Sequence, residues 1–144
     1  MTRPPELTGV ENAENPTQMD RLFEATGAEV VDWGYKTECC GASHGVTRSD
    51  IVERLTRRIV DAAKAAGADV IVTSCPLCHL NVDARQAQYL QREKKAGGAG
   101  ASSGVPILYF TQALGLALGF GEKELALGRS MIDPRPALAA KGVL

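Results

Sequence analysis

Residues 69–80 read DVIVTSCPLCHL, and this stretch decides the fold class of the chain. Its first five residues form a short run rich in β-branched side chains, which predicts a buried strand at 69–73. Cys75 then lies near the N-cap of a helix, and Pro76 takes the first helical position, where proline is favoured. The helix is predicted to run to about Lys94. A strand that leads directly into a helix is typical of a parallel sheet.

Helices and strands alternate on both sides of this stretch. Residues 1–16, the Gly- and Ala-rich residues 96–104 and the proline-containing tail from Met131 predict coil, a loop and an extended segment. The remaining predicted elements are helices at 17–26, 49–66 and from Thr111, and strands at 29–33 and 105–110. This order predicts an α/β fold, with a small parallel β-sheet flanked by helices in one domain spanning 1–144.

Composition narrows the possible functions. A chain of 144 residues that is 44% hydrophobic is large enough for one well-packed core. Its 16 basic and 17 acidic residues leave a net charge of −1, without the basic surplus typical of nucleic-acid binding. No apolar run of membrane-spanning length and no secretory signal is evident, so we expect a cytoplasmic protein without a membrane span.

Four cysteines form two doublets, Cys39-Cys40 followed by Gly41, and Cys75-Pro-Leu-Cys78. Each doublet follows a predicted strand, and the carboxyl ends of neighbouring parallel strands meet at one edge of a sheet. We therefore expect all four sulfurs at that edge. Reduced cytosolic thiols in such doublets indicate metal ligands or redox groups rather than structural disulfides. A helix N-terminus also lowers the pKa of the thiols in its first turn.

Five interpretations fit these cysteines: buried free thiols, a four-cysteine zinc site, a thioredoxin-like dithiol at CPLC, haem attachment at CPLCH, and an iron–sulfur cluster. Adjacent cysteines favour the last, because their diverging side chains reach different irons more easily than one tetrahedral zinc. His44 and His79 can ligate metal or move a proton, although an ordinary polar role suits them as well. Trp33 and Tyr35 are predicted to pack beside the first doublet.

Three segments together resemble the cysteine-rich CCG domain family, which includes the B-type subunit of heterodisulfide reductase, and most of all the C-terminal CCG domain of that subunit. The segments are ECCGASHGVTRSD (38–50), DVIVTSCPLCHLNVDARQ (69–86) and VPILYFTQALGLALG (105–119). The resemblance implies an electron-transfer domain that exchanges electrons with a disulfide or thiol substrate. It also implies partner subunits, one bearing flavin and one ferredoxin-like, and a homodimer would bring two sites together.

The same resemblance implies a non-cubane [4Fe–4S] cluster. Its ligands would be Cys39, Cys40, Cys75 and Cys78, with Gly41, His44 and His79 beside it. Two differences from the family stand out. A further motif cysteine falls just before Met1, so the chain is expected to start just after that ligand, and only one CCG domain is present where the B-type subunit has two. A zinc-binding or metal-free assembly module is therefore the alternative expectation.

Overall fold

The computed structural model describes Asn12 and residues 14–97 and 103–144, so the predictions for residues 1–11 and most of 96–104 fall outside the described residues. Within these ranges, helices and a small sheet alternate, which confirms the α/β prediction. The elements are α1 (Gln18–Glu24), α2 (Ser49–Ala65), β1 (Ile71–Thr73), α3 (Pro76–Lys95), β2 (Ile107–Tyr109), α4 (Phe110–Ala117) and α5 (Arg135–Ala140). Single 3-10 turns lie at Ala42–His44 and Leu127–Arg129.

The two strands form a parallel pair in which Ile71 lies opposite Ile107 and Thr73 lies opposite Tyr109. Helix α3 connects them, as a parallel crossover requires. Apolar side chains on both faces bury the pair, which explains why the strands are near-continuous apolar runs. One core cluster contains Cys40, Ile59, Val60, Ala63, Ile71, Val82, Val105 and Ile107, and a second contains Leu108, Leu127 and Leu138.

The prediction of a strand at 29–33 is wrong, because the chain has no regular secondary structure there. In the part of the chain that the structure describes, β1 and β2 pair only with each other, so this segment has no ladder to join. Without a partner strand, β-branched residues do not hold a strand conformation. The predicted packing role of Trp33 and Tyr35 is confirmed: their rings stack with centroids 6.1 Å apart and lie against the core.

The prediction of an extended tail from Met131 is also wrong, because a helix forms after its first few residues. The backbone N–H groups of Met131 and Ile132 donate to the buried carboxylate of Asp83, at 2.7 and 2.8 Å. The chain then forms α5, whose proline lies in the first turn, where no helical hydrogen bond is lost. No helix in the described ranges is long and apolar enough to cross a membrane.

Gln86 fixes the start of the second strand against α3. Its side chain is fully buried and makes two hydrogen bonds of 2.9 Å with the backbone of Val105, donating to the carbonyl and accepting from the N–H. These bonds satisfy both backbone polar groups of Val105, a buried residue just before β2. The side chain of Gln86 therefore sets where β2 begins relative to α3.

We expect Gln86→Ala to lower the free energy of unfolding by about 1–3 kcal/mol, because it leaves two buried backbone groups unsatisfied. Urea unfolding followed by circular dichroism measures this change. Gln88→Ala is the matched control, since Gln88 is exposed on the same helix and its amide oxygen bonds only Arg85 among the described residues. Equal losses in the two variants would contradict the role given to Gln86.

Candidate functional site

The second cysteine doublet is positioned by the junction between β1 and α3. Cys75 is the N-cap residue of α3, with extended backbone, and Pro76 follows in the first turn as the sequence predicts. The Cys75 N–H donates to the hydroxyl oxygen of Thr73 at 3.2 Å, which closes a tight turn at the carboxyl end of the strand. Cys75 is exposed and Cys78, one helical turn later, is half-buried. The doublet therefore points from solvent towards the core.

The N-terminus of α3 stabilises a thiolate at its cap. The pKa of Cys75 lies below its usual range, first because the backbone N–H of Cys78 points towards its sulfur, with smaller contributions from the Cys78 thiol and the Leu77 N–H. These are free N–H groups of a first helical turn, which have no partner within the helix. The charged thiolate is the form that binds metal.

The first doublet divides between core and solvent. Cys40 is 1% exposed and belongs to the main core cluster, whereas Cys39 is exposed. Gly41 follows in a left-handed conformation, with φ of 72°, and its N–H donates to the Cys39 sulfur at 3.4 Å. The Cys40 carbonyl accepts a 3.2 Å hydrogen bond from the side-chain amide of Asn81. This bond ties the CCG loop to α3.

The tertiary fold brings the buried members of the two doublets together. Cys78 packs against the core cluster that contains Cys40, and the interaction between the two thiols lowers the pKa of Cys40 well below its usual range and raises that of Cys78. Cys78 also lies near Cys75, so these three thiols are neighbours. Cys39 is placed differently, since its sulfur accepts from the Gly41 amide.

The two histidines lie in different surroundings. His44 is exposed in the 3-10 turn that follows Gly41. His79 is half-buried beside Tyr109, with ring centroids 6.1 Å apart, and its Nε2 atom is buried without a hydrogen-bond partner among the described residues. Buried polar atoms normally have a partner, so this nitrogen is available to one that the described residues do not supply.

The thiols are not arranged around a single point. Across residues 14–97 and 103–144, no group of three or more His, Cys, Asp or Glu side chains is placed so that it could hold one metal ion. Sequence reasoning missed Asn81 and Thr73, whose polar groups hold the two cysteine segments in place. The helical period offered a signal for Asn81, because it lies one turn beyond Cys78 and shares its face.

Comparison with known proteins gives a family match and several similar proteins. A family model described as the CCG cysteine-rich domain matches residues 6–83, a range that contains all four cysteines. The B-type subunit of the ferredoxin/F420H2-dependent CoB-CoM heterodisulfide reductase of Methanosarcina acetivorans is 37% identical over 92% of this chain and 43% of its own length. Its counterpart in the ferredoxin:CoB-CoM heterodisulfide reductase of Methanosarcina mazei is 36% identical over 92% of this chain and 43% of its own length.

A relative with another name aligns equally well. The 8-methylmenaquinol:fumarate reductase membrane anchor subunit of Wolinella succinogenes is 34% identical over 91% of this chain and 44% of its own length. The chain thus spans less than half the length of the curated relatives it matches.

Gly41→Ala tests how tightly the CCG loop is held. A Cβ atom there would lie 2.8 Å from Cδ1 of Leu55, in addition to the strain of a positive φ. Gly67→Ala is the matched control, because Gly67 has φ of 77° and no atom within 4 Å of the added Cβ. We expect the Gly41 variant to lose about 1–3 kcal/mol more free energy of unfolding than the control. Equal losses of the free energy of unfolding, measured by chemical denaturation, would show that the CCG loop can move to accommodate the added methyl group.

Proposed function

Because this chain belongs to the cysteine-rich CCG domain family, we propose that it is an electron-transfer domain whose cysteines bind an iron–sulfur cluster. The observation that supports this most strongly is the proximity of Cys40 and Cys78, which are distant in sequence but close enough for each thiol to shift the pKa of the other. Cys75 lies near Cys78 and is exposed to solvent. Thiolates are the usual ligands of iron–sulfur clusters.

The shape of the donor set favours a cluster over a single zinc ion. A structural zinc site needs four ligands placed tetrahedrally around one point, and among the described residues no three thiols are placed around one point. Cys39 and Cys40 occupy solvent and core, so one vicinal pair can serve more than one iron. The ligands of the proposed cluster are Cys39, Cys40, Cys75 and Cys78, and the proposed type is the non-cubane [4Fe–4S] form that the family resemblance implies.

When bound, such a cluster would supply one-electron storage and transfer. The residues of this chain prepare the site for it. The α3 N-terminus lowers the pKa of Cys75 and the neighbouring Cys78 lowers that of Cys40, so both thiols lose their protons to a metal more readily. Apolar side chains shield the buried sulfur from water, notably Trp33 and Tyr35 against the core that contains Cys40. The Nε2 atom of His79, which has no partner among the described residues, is available as a further hydrogen-bonding group near the start of α3.

The proposed setting is a heterodisulfide reductase-like complex. Two relatives are named as B-type subunits of CoB-CoM heterodisulfide reductases, and a third as part of a fumarate reductase. We place this chain in an oxidoreductase that passes electrons to or from a disulfide or thiol substrate. Its proposed partners are a flavin-bearing subunit and a ferredoxin-like subunit.

A zinc-binding or metal-free assembly module is the second candidate. The observation that favours it is the position of Cys39, which is exposed while Cys40 lies in the core. A zinc site would draw on Cys75 and Cys78 and leave Cys39 unused. The two candidates therefore assign different roles to one residue.

Metal analysis after strictly anaerobic purification tests the proposal. We expect iron and acid-labile sulfide at about four each per chain, with little zinc, and an EPR signal from the oxidised protein. Cys39→Ser should lower the iron content as strongly as Cys40→Ser, Cys75→Ser and Cys78→Ser. Ser74→Ala is the matched control, because Ser74 is exposed beside Cys75 and carries no thiol. Zinc near one per chain that is unchanged in Cys39→Ser would replace the proposal by the second candidate.

A further inference from the structure

A long groove runs between α2 and α3, on a part of the surface that the cysteines do not use. Its volume is about 840 Å³. Acidic side chains of Asp50, Glu53 and Asp61 line it together with half of the chain's arginines. The arginines are Arg54, Arg57, Arg58, Arg85 and Arg92. The five positive and three negative charges give this groove a positive surplus on a chain whose net charge is −1.

Some of these arginines already have partners. Arg57 donates to Glu53 at 3.1 Å and to Glu93 at 2.6 Å, and its guanidinium lies 3.9 Å from the centre of the Tyr89 ring. Glu53 also pairs with Arg92. This network crosses from α2 to α3 and holds the floor of the groove in place.

Arg54 and Arg58 differ from these neighbours. Both are exposed, and no salt bridge to either is found within the described ranges. They lie one helical turn apart on α2, where two like charges repel and destabilise the helix. An external anion that contacts both would remove this repulsion. These two side chains are therefore the positive charges of the groove that are most available to a ligand.

One end of the groove adjoins the cysteine loop, the CCG segment that contains Cys39, Cys40 and Gly41. Arg85 lines the groove and donates to the carbonyl oxygen of Gly45 at 2.9 Å. Gly45 closes the 3-10 turn that begins directly after Gly41. A molecule in the groove would thus contact an arginine that is bonded to the loop carrying the first cysteine doublet, which suits a partner that exchanges electrons with this chain.

We propose that the groove between α2 and α3 docks the acidic face of an electron-transfer partner protein. Carboxylates of the partner pair with Arg54 and Arg58, while basic groups at its margin meet the exposed Asp61. The electron-transfer role of this partner rests on the function proposed above. The docking itself requires only the two charged surfaces.

The spread of the charges favours a protein over other anions. Arg54 and Arg58 are about 6 Å apart along the axis of α2, and Arg85 and Arg92 are about 10 Å apart along the axis of α3. A single phosphate can contact Arg54 and Arg58 together but cannot also reach arginines spread over about 10 Å of α3, whereas an acidic protein face can. A nucleic acid would bring dense negative charge against the three acidic residues of the groove, which repel it. Charges of both signs suit a protein partner, because they fix its orientation as well as attract it.

Titration calorimetry with an acidic two-cluster ferredoxin as the probe tests the docking surface, at low and at high salt. We expect Arg54→Glu with Arg58→Glu to weaken binding by about tenfold or more at low salt. Lys123→Glu with Arg129→Glu is the matched control, since it makes the same change in net charge at exposed positions outside the groove. The control should bind within about twofold of the unaltered chain, and salt should weaken binding of that chain.

Two results would overturn the proposal. One is equal affinity loss in the groove variant and the control, which would mean that net charge alone attracts the probe. The other is unchanged ferredoxin binding in the groove variant together with loss of tripolyphosphate binding, which would make the groove a small-anion site. The measurement is made on metal-free and on metal-loaded chain. If the chain takes up no iron but still binds the probe through the groove, the docking surface stands and the proposed electron-transfer role of the partner is wrong.

Discussion

Helix α3 holds the molecule together through polar side chains that bond to the backbone of other segments. Gln86 satisfies both backbone groups of Val105, and Asp83 accepts from two N–H groups at the start of the tail. Asn81 and Arg85 bond to carbonyl groups of the cysteine loop. Because buried backbone groups are costly to leave unpaired, these bonds specify where each segment must lie. The sheet, the tail and the loop are all placed relative to one helix.

The same helix sets the electrostatics of the cysteines. Its N-terminus favours a charged sulfur at Cys75, and its first turn presents Cys78 to the buried Cys40. A thiolate in the core is costly unless polar groups stabilise it, and the Cys78 thiol and the Ala42 N–H lower the pKa of Cys40 in this way.

The cysteine loop connects two surfaces of different character. On one side its sulfurs meet the sheet edge, where the exposed side chains of Leu77 and Leu80 lie on the first turns of α3. On the other side its Gly45 carbonyl is held by an arginine of the charged groove. The Cys40 and Gly45 carbonyls of this loop are both bonded to side chains of α3.

The sequence by itself determined the fold class and the chemically important residues. The run at 69–73 and the Cys75-Pro76 junction predict a strand that leads into a helix, and the structure has both. These features depend on neighbouring residues only, through β-branched preference and the fixed φ of proline. The chemistry of the four cysteines is readable from their spacing in the same way, while their role as ligands stays a prediction.

Only the tertiary structure decided which of these residues meet. The contact between Cys40 and Cys78, the exposure of Cys39 and the loss of the strand predicted at 29–33 all depend on segments far apart in the chain. A strand needs a neighbour to pair with, and a thiol acquires its pKa from the groups packed around it. Local sequence patterns contain neither kind of information. The charged groove likewise exists only because α2 and α3 pack side by side.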